Sequence, residues 1–244
     1  MTDITPAVLD KLRQFDTPTI CNIIELFEVR PRNVGFMNKT IQAAFPEMPP
    51  MVGFAATVTC RTSFDPMLRG DAYAGTENQV ERFMELSGPA VVVFQDLDVP
   101  PLAATFGEIM CTTYQAFGAV GLVTNGPARD LDQVRAIGFP VFTDGAACSH
   151  GYIRMFDLHI PVQVGGIPVY PDDLLHGDLN GVTTIPKDIA AEAADIGAEF
   201  VATETVVLET LRQPNVTVAQ LREARAESRD QANVLRLRVT RRGV

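Results

Sequence analysis

Cysteine and histidine are both scarce in this chain of 244 residues, and neither is grouped. Cys21, Cys60, Cys111 and Cys148 contain no CxxC pair, which excludes a zinc knuckle and a dithiol redox motif and predicts four reduced thiols. His150, His159 and His176 are too scattered for a multi-histidine metal centre, and each reads as structural or surface. Cationic side chains are outnumbered, 20 against 30 acidic ones, for a formal charge of -10. That balance argues against broad binding to nucleic acid or an anionic membrane, both of which need a basic face. A small cationic pocket for a small anionic substrate stays compatible with it. No apolar stretch approaches the length of a membrane span, and Met1 to Leu12 lack the basic and apolar blocks of a signal peptide, so a cytoplasmic protein is expected. Repeats, low-complexity linkers and a clear domain boundary are also missing. The chain reads as one domain over residues 1–244, with an N-terminal helix and a C-terminal helical extension from about residue 212.

What is present is an ordinary globular composition, 46% hydrophobic and 20% charged. Asp16-Thr17-Pro18 opens an apolar-periodic stretch ending near Phe27, which predicts a capped helix with Pro18 at its first position. Val29 to Pro50 carries several prolines and little periodicity, and reads as a long loop. Gly53 to Cys60 and Ala90 to Phe94 are buried-strand runs, with a helix predicted over Asn78 to Leu86 between them. Helix over Phe106 to Phe117, strand over Gly118 to Thr124, helix over Leu131 to Ile137 and strand over Pro140 to Thr143 follow in α/β alternation. A hairpin is then expected from His159 to Tyr170, turning on Gly165-Gly166, with a strand at Val182 to Ile185. The fold class is therefore α/β with a mixed β-sheet core and flanking helices. Ile189 to Leu211 predicts a long helix, and Thr217 to Gln220 has capping-box spacing for a last helix before a basic tail, Arg236 to Arg242.

The most informative stretch runs from Gly107-Glu108-Ile109-Met110 to Asn125-Gly126-Pro127-Ala128-Arg129-Asp130. A helix of about nine residues advances roughly 14 Å, and a strand of about five returns roughly 17 Å. The two polar ends should therefore meet, with Glu108 at a helix N-terminus, where free backbone N–H groups favour an anion, beside Arg129 and Asp130. For a 2-oxo acid, the helix-end amides and Arg129 can hold the carboxylate and carbonyl, while Asp130 offers a hard oxygen to magnesium. Cleaving the bond next to that carbonyl leaves an enolate, which a fixed cation and a Lewis acid stabilise more than the ketone. Glu108 is placed to hold a water or to serve in proton transfer. Taken singly, these residues also read as a capping glutamate and a surface ion pair.

The same residues resemble the signature of the RraA-like superfamily, and within it the class II pyruvate aldolases, in which an acid is followed after twenty residues by Arg-Asp, as Glu108 is by Arg129-Asp130. The resemblance extends over roughly residues 10 to 210. It takes in Asp16-Thr17, Gly53 to Thr59, Gly138 to Phe142, Val164 to Gly166, and Gly177-Asp178 with Gly181-Val182. It implies an α/β fold related to swivelling phosphohistidine domains, assembled as a homotrimer or a dimer of trimers with active sites between subunits. It further implies that Asp130 binds Mg2+ or Mn2+ and Arg129 binds the pyruvyl group. Gly107 and the amides of Ile109 and Met110 would bind substrate, and Glu108 would act through water. A further acid would reach the metal from a neighbouring subunit, Glu199 and Glu204 being the candidates. The chain departs from the pattern at Cys21-Asn22, where an acid is expected near position 22, and at Asn125, where the aldolases often have Asp; Val29 to Pro50 and Asp144 to His150 are unusual too. Some relatives carry the name demethylmenaquinone methyltransferase, but no GxGxG loop follows a strand here.

The resulting expectation is a divalent-metal-dependent lyase that cleaves or decarboxylates a small 2-oxo di- or tricarboxylate, such as 4-hydroxy-4-methyl-2-oxoglutarate or oxaloacetate, through a pyruvate enolate. The alternative implied by the same superfamily is a non-catalytic regulator that binds a ribonuclease or another protein. A third is a hydro-lyase or isomerase built on the same corner.

Overall fold

The computed structural model describes residues 4–63 and 73–240. It divides into two compact units, Gly35–Lys187 on the one hand and Met1–Val34 with Asp188–Val244 on the other.

The larger unit is built on a mixed sheet. In chain order its elements are β1 (Gln42–Ala43), β2 (Met51–Arg61), α1 (Thr76–Glu81) continued by a 3-10 turn (Arg82–Glu85), β3 (Ala90–Asp96), α2 (Glu108–Ala116), β4 (Gly121–Thr124), α3 (Leu131–Ala136), β5 (Val141–Thr143), β6 (Arg154–Leu158), β7 (Val162–Val164), β8 (Ile167–Val169), β9 (Leu174–Asp178) and β10 (Gly181–Ile185). The strand order is β1-β5-β4-β3-β2-β9-β10, with β6 also on β2. Strands β2, β3, β4 and β5 are mutually parallel. The first residues of β2 pair antiparallel with β9 and its last with β6, so this one strand carries three partners. Every residue of β2 up to Cys60 is buried, as expected of a strand covered on both faces.

Period-two alternation divides the side chains between two cores. Val92 and Phe94 join Ala56, Val58, Leu122 and Tyr114 in a cluster covered by α1, α2 and α3. Val91 and Val93 join Ala55, Val123, Phe142 and Leu175 in a second cluster, covered by Val162, Val164 and Val169 of the β7–β8 ribbon with Met37 and Ile41 of the preceding loop. The β7–β8 turn is the expected one. Gly165 and Gly166 both have positive φ, 59° and 81°, which is the backbone a two-residue hairpin needs.

Four helices form the smaller unit: α4 (Pro6–Leu12), α5 (Thr17–Leu26), α6 (Ala190–Leu211) and α7 (Val218–Thr240). Asp16 caps α5 by accepting the Thr19 N–H at 2.8 Å, and Pro18 occupies the second helical position rather than the first. Thr17, Ile20, Ile23 and Ile24 form the buried stripe of α5 at helical spacing. In α6 the buried stripe opens on small residues, Ala190, Ala193, Ala194 and Gly197, before Phe200 and Thr203, and a methyl at Gly197 would strike the ring of Phe15. The expected capping box is formed. Thr217 Oγ1 accepts the Gln220 N–H at 3.3 Å and Gln220 Oε1 accepts the Thr217 N–H at 2.9 Å. Residues 236–240 continue α7 instead of leaving it as a tail, and Arg236 and Arg238 pair with Glu28 and Glu199; residues 241–242 lie outside the described ones. Among the described residues, no helix is long and apolar enough to cross a membrane. All four cysteines are free thiols, and burial pushes that of Cys111 up to about 12.

Candidate functional site

Because β3, β4 and β5 are parallel, the loops leaving them gather at one edge of the sheet, the carboxyl edge where α/β proteins place ligands. Three extended segments from these loops lie side by side there. Arg129 N–H donates to the Phe106 carbonyl at 3.3 Å, Thr105 N–H to the Pro127 carbonyl at 2.9 Å, and Ala128 N–H to the Gly145 carbonyl at 2.9 Å. This ladder fixes the start of α2 against the loop bearing Arg129 and Asp130.

The convergence expected from chain geometry is present. Asp130 Oδ2 accepts the Glu108 N–H at 3.1 Å and lies 3.7 Å from Arg129 Nε. Asp130 stands at the N-cap of α3 in the left-handed region, φ 55° and ψ 39°, yet its carboxylate caps α2 and not its own helix. Gly107 lets both side chains approach closely: a Cβ there would meet Asp130 Oδ2 and stand 3.0 Å from Arg129 Nε, so either side chain would have to move. The first intrahelical bond of α2 is Cys111 N–H to the Gly107 carbonyl, which leaves the Ile109 and Met110 amides for an acceptor outside the helix. Ile109 is 81% exposed.

Gly107, Ile109, Met110 and Arg129 line a cavity of about 210 Å³ with Thr105, Phe106, Ile153 and His150, while Asp130 stands behind Gly107 and Arg129. Arg129 and His150 are its ionisable members. The sequence alone reads His150 as structural or surface; it is an exposed residue on the cavity wall, its ring Nδ1 2.8 Å from the Gly151 carbonyl. A carbonyl oxygen can only accept, so Nδ1 carries the proton of that bond and Nε2 is left free to accept one.

Behind the corner lies an acidic network that sequence reasoning missed. Asp96, 2% exposed, ends β3. Its Oδ2 accepts from Thr62 Oγ1 at 3.0 Å and its Oδ1 from the Asp98 N–H at 3.0 Å, while burial pushes its pKa up to about 6. Asp98 is buried too, which acts to raise its pKa, but the Thr62 and Ser63 N–H groups at 2.7 and 2.9 Å prevail and hold it low. Asn125, the residue departing from the aldolase pattern, ties β3 to β4. Its Oδ1 accepts the Asp96 N–H at 2.7 Å and its Nδ2 donates to the Asp96 carbonyl at 2.9 Å. Aspartate could accept the first bond but could not donate the second.

Among the described residues, no group of three or more His, Cys, Asp or Glu side chains is arranged to hold a metal. Asp130 brings one carboxylate to the corner, and magnesium is commonly bound through one or two carboxylates with water and substrate completing the shell. Asp130 is thus the residue at this corner that would hold such an ion. Glu199 is held bidentately by Arg238 at 2.8 and 2.9 Å, whereas Glu204 receives a single long contact, 3.5 Å, from Asn22 Nδ2.

A mixed sheet with helices over one face, a β-ribbon over the other and a polar corner at its carboxyl edge defines the class. The family model described as "Aldolase/RraA", RraA-like, matches residues 8–184, and the chain belongs to this RraA-like family. A Halalkalibacterium halodurans protein named "Putative 4-hydroxy-4-methyl-2-oxoglutarate aldolase" is 30% identical over 115 residues, which is 47% of this chain and 55% of that one. The match thus spans about half the length of that curated relative. An uncharacterized protein from Pseudomonas syringae pv. tomato has the same fold, with a TM-score of 0.71 at 23% identity over 92% of this chain and 95% of its own. So does RraAS2 of Streptomyces coelicolor, described as an unusual member of the RNase ES inhibitor RraA family, with a TM-score of 0.62 at 20% identity over 85% of this chain and 98% of its own.

Proposed function

We propose that the protein is a divalent-metal-dependent lyase that cleaves a small 4-hydroxy-2-oxo dicarboxylate of the 4-hydroxy-4-methyl-2-oxoglutarate type to pyruvate, and decarboxylates oxaloacetate through the same enolate. The observation that carries this reading is that Arg129 and the free amides of α2 line one small cavity, with the Asp130 carboxylate held against Arg129 and the start of α2 beside it. The aldolase name borne by the Halalkalibacterium relative supports it.

In this reading the Ile109 and Met110 amides and the Arg129 guanidinium bind the substrate carboxylate and C2 oxygen, and Gly107 keeps the floor of the corner low enough for that approach. Asp130 would hold Mg2+ or Mn2+, which when bound would supply Lewis-acid polarisation of the 2-oxo group. Arg129 stabilises charge growing on the C2 oxygen more than it stabilises the neutral ketone, and that difference lowers the barrier. Glu108 projects from the first turn of α2 and passes a proton through water to C3 of the enolate. Glu204, less committed within its own chain than Glu199, would be the further acid that reaches the metal from a neighbouring subunit of a homotrimer or dimer of trimers.

The test is pyruvate release from 4-hydroxy-4-methyl-2-oxoglutarate and from oxaloacetate, with magnesium and with a chelator. Metal-dependent turnover is expected on both, and Arg129→Ala should lower it by about two to three orders of magnitude, the usual cost of removing an oxyanion donor. Folded protein that turns over neither substrate would sink the proposal and leave a partner-binding role.

A further inference from the structure

Retro-aldol cleavage needs a group to take the proton from the C4 hydroxyl; Arg129 and the α2 amides cannot accept one, and the carboxylates of Glu108 and Asp130 do not line the cavity. We propose that His150 is this general base. The assignment rests on the lyase reading above, and its own support is the position and tautomer of the ring.

His150 shares the cavity with Arg129, Ile109 and Met110. Its backbone is fixed from both sides: the Ala104 N–H donates to the Ser149 carbonyl at 2.7 Å and the Tyr152 N–H to the Thr62 carbonyl at 2.8 Å. Gly151, at φ 51°, is packed so that a Cβ would strike the Thr62 carbonyl, so the loop has little room to shift. Within this frame the 2.8 Å bond from Nδ1 to the Gly151 carbonyl commits the ring proton to Nδ1 and presents the Nε2 lone pair. A substrate anchored by its pyruvyl carboxylate at Arg129 and the α2 amides extends its C4 end along the cavity toward its remaining ionisable wall, His150.

The step balances without any further reactant. Nε2 takes the C4–OH proton, the C4–O electron pair becomes the carbonyl of the leaving 2-oxo acid, and the C3–C4 bond breaks. Its electrons move into the C2–C3 enolate, which is then protonated at C3. Decarboxylation of oxaloacetate forms the same enolate by losing carbon dioxide and has no hydroxyl proton to remove. The two substrates therefore separate the base from the rest of the site.

The experiment compares kcat on both substrates for the full chain with magnesium, for His150→Gln and for His150→Ala, with melting curves to show that both variants fold. Cleavage of the 4-hydroxy acid should fall about a hundredfold or more, the usual contribution of a general base, and by at least about tenfold more than oxaloacetate decarboxylation falls in the same variant. Equal loss of both activities, or retention of both, overturns the assignment of His150 and leaves the lyase reading standing. Absence of both activities in the unsubstituted protein overturns the lyase reading and this assignment with it.

Discussion

Replacing Asp96 by asparagine tests the buried acid network quantitatively. Burial lifts the Asp96 pKa from 3.8 to about 6. A tenfold change in proton affinity is worth about 1.4 kcal/mol, so ionised Asp96 costs the fold about 3 kcal/mol at neutral pH. Because the folded pKa lies above the unfolded one, the folded state binds the proton more tightly. That contribution is present in full below about pH 3.8 and is lost as pH rises through about 6, so stability falls with pH in this window. Asp96 is 2% exposed, so its carboxylate is largely withdrawn from water.

An amide at this position does not ionise, and Asp96→Asn should therefore escape this loss. Whatever the exchange costs in the bonds from Thr62 Oγ1 and the Asp98 N–H is the same at every pH and cancels in a comparison of two. Urea unfolding followed by far-ultraviolet circular dichroism at pH 4.5 and 7.5 measures it for both proteins. The stability difference between variant and parent should move in the variant's favour by about 2 kcal/mol between these pH values, the portion of the titration that falls there. A difference that moves by less than about 0.5 kcal/mol would refute the reasoning, because it would show that Asp96 titrates alike folded and unfolded.

Gly107→Ala places a methyl against Asp130 Oδ2 and Arg129 Nε, so pyruvate release should fall more than about tenfold with a stability loss within the roughly 1 to 3 kcal/mol of an overpacked site, checked by kinetics and a melt on the same sample. Thr217→Ala removes the capping box of α7 and should cost about 1 kcal/mol by urea titration without altering turnover. Gly165→Ala combines φ 59° with contacts of 2.5 and 2.9 Å to Met37 and Ile41, and a loss of more than about 1 kcal/mol is expected.

The corner of the site is legible in the sequence because α2 and β4 are short, regular and consecutive, so residue counts alone return Arg129 and Asp130 to the start of the helix. The hairpin and the α7 cap are legible for a related reason: Gly165-Gly166 and Thr217 to Gln220 are local chemistry. Non-local strands are not. β9, Leu174 to Asp178, is fully buried but reads LLHGD, and glycine and aspartate are poor strand formers; Gly177 is there because the Phe142 ring packs where its Cβ would be. β6 carries a mixed burial pattern and meets β2 in irregular register, which hides its period of two. The two-residue β1 sits inside what reads as loop. Asp96 and His150 escape sequence reasoning because their roles depend on partners 34 residues away at Thr62, for the one, and on cavity walls drawn from α2 and the β4–α3 loop, for the other.

Asp130 gives the clearest separation between a catalytic and a merely structural corner. It adopts φ 55°, a conformation costing a non-glycine residue about 1 kcal/mol or more, and it leaves its own helix without a side-chain cap. Both costs fall on one residue, and its packing demands neither, since asparagine tolerates this backbone at least as well. Asp130→Asn keeps an oxygen to accept the Glu108 N–H and gives up the charge, which reaches Arg129 at 3.7 Å on a partly exposed surface where an ion pair is worth little. If the carboxylate is present to hold a metal, the variant should match the parent within about 0.5 kcal/mol of stability and lose about a hundredfold or more in metal-dependent pyruvate release. If it is present for the fold, stability should fall and turnover should follow it only as far as folded protein is lost. A variant equal to the parent in both respects would remove Asp130 from the mechanism.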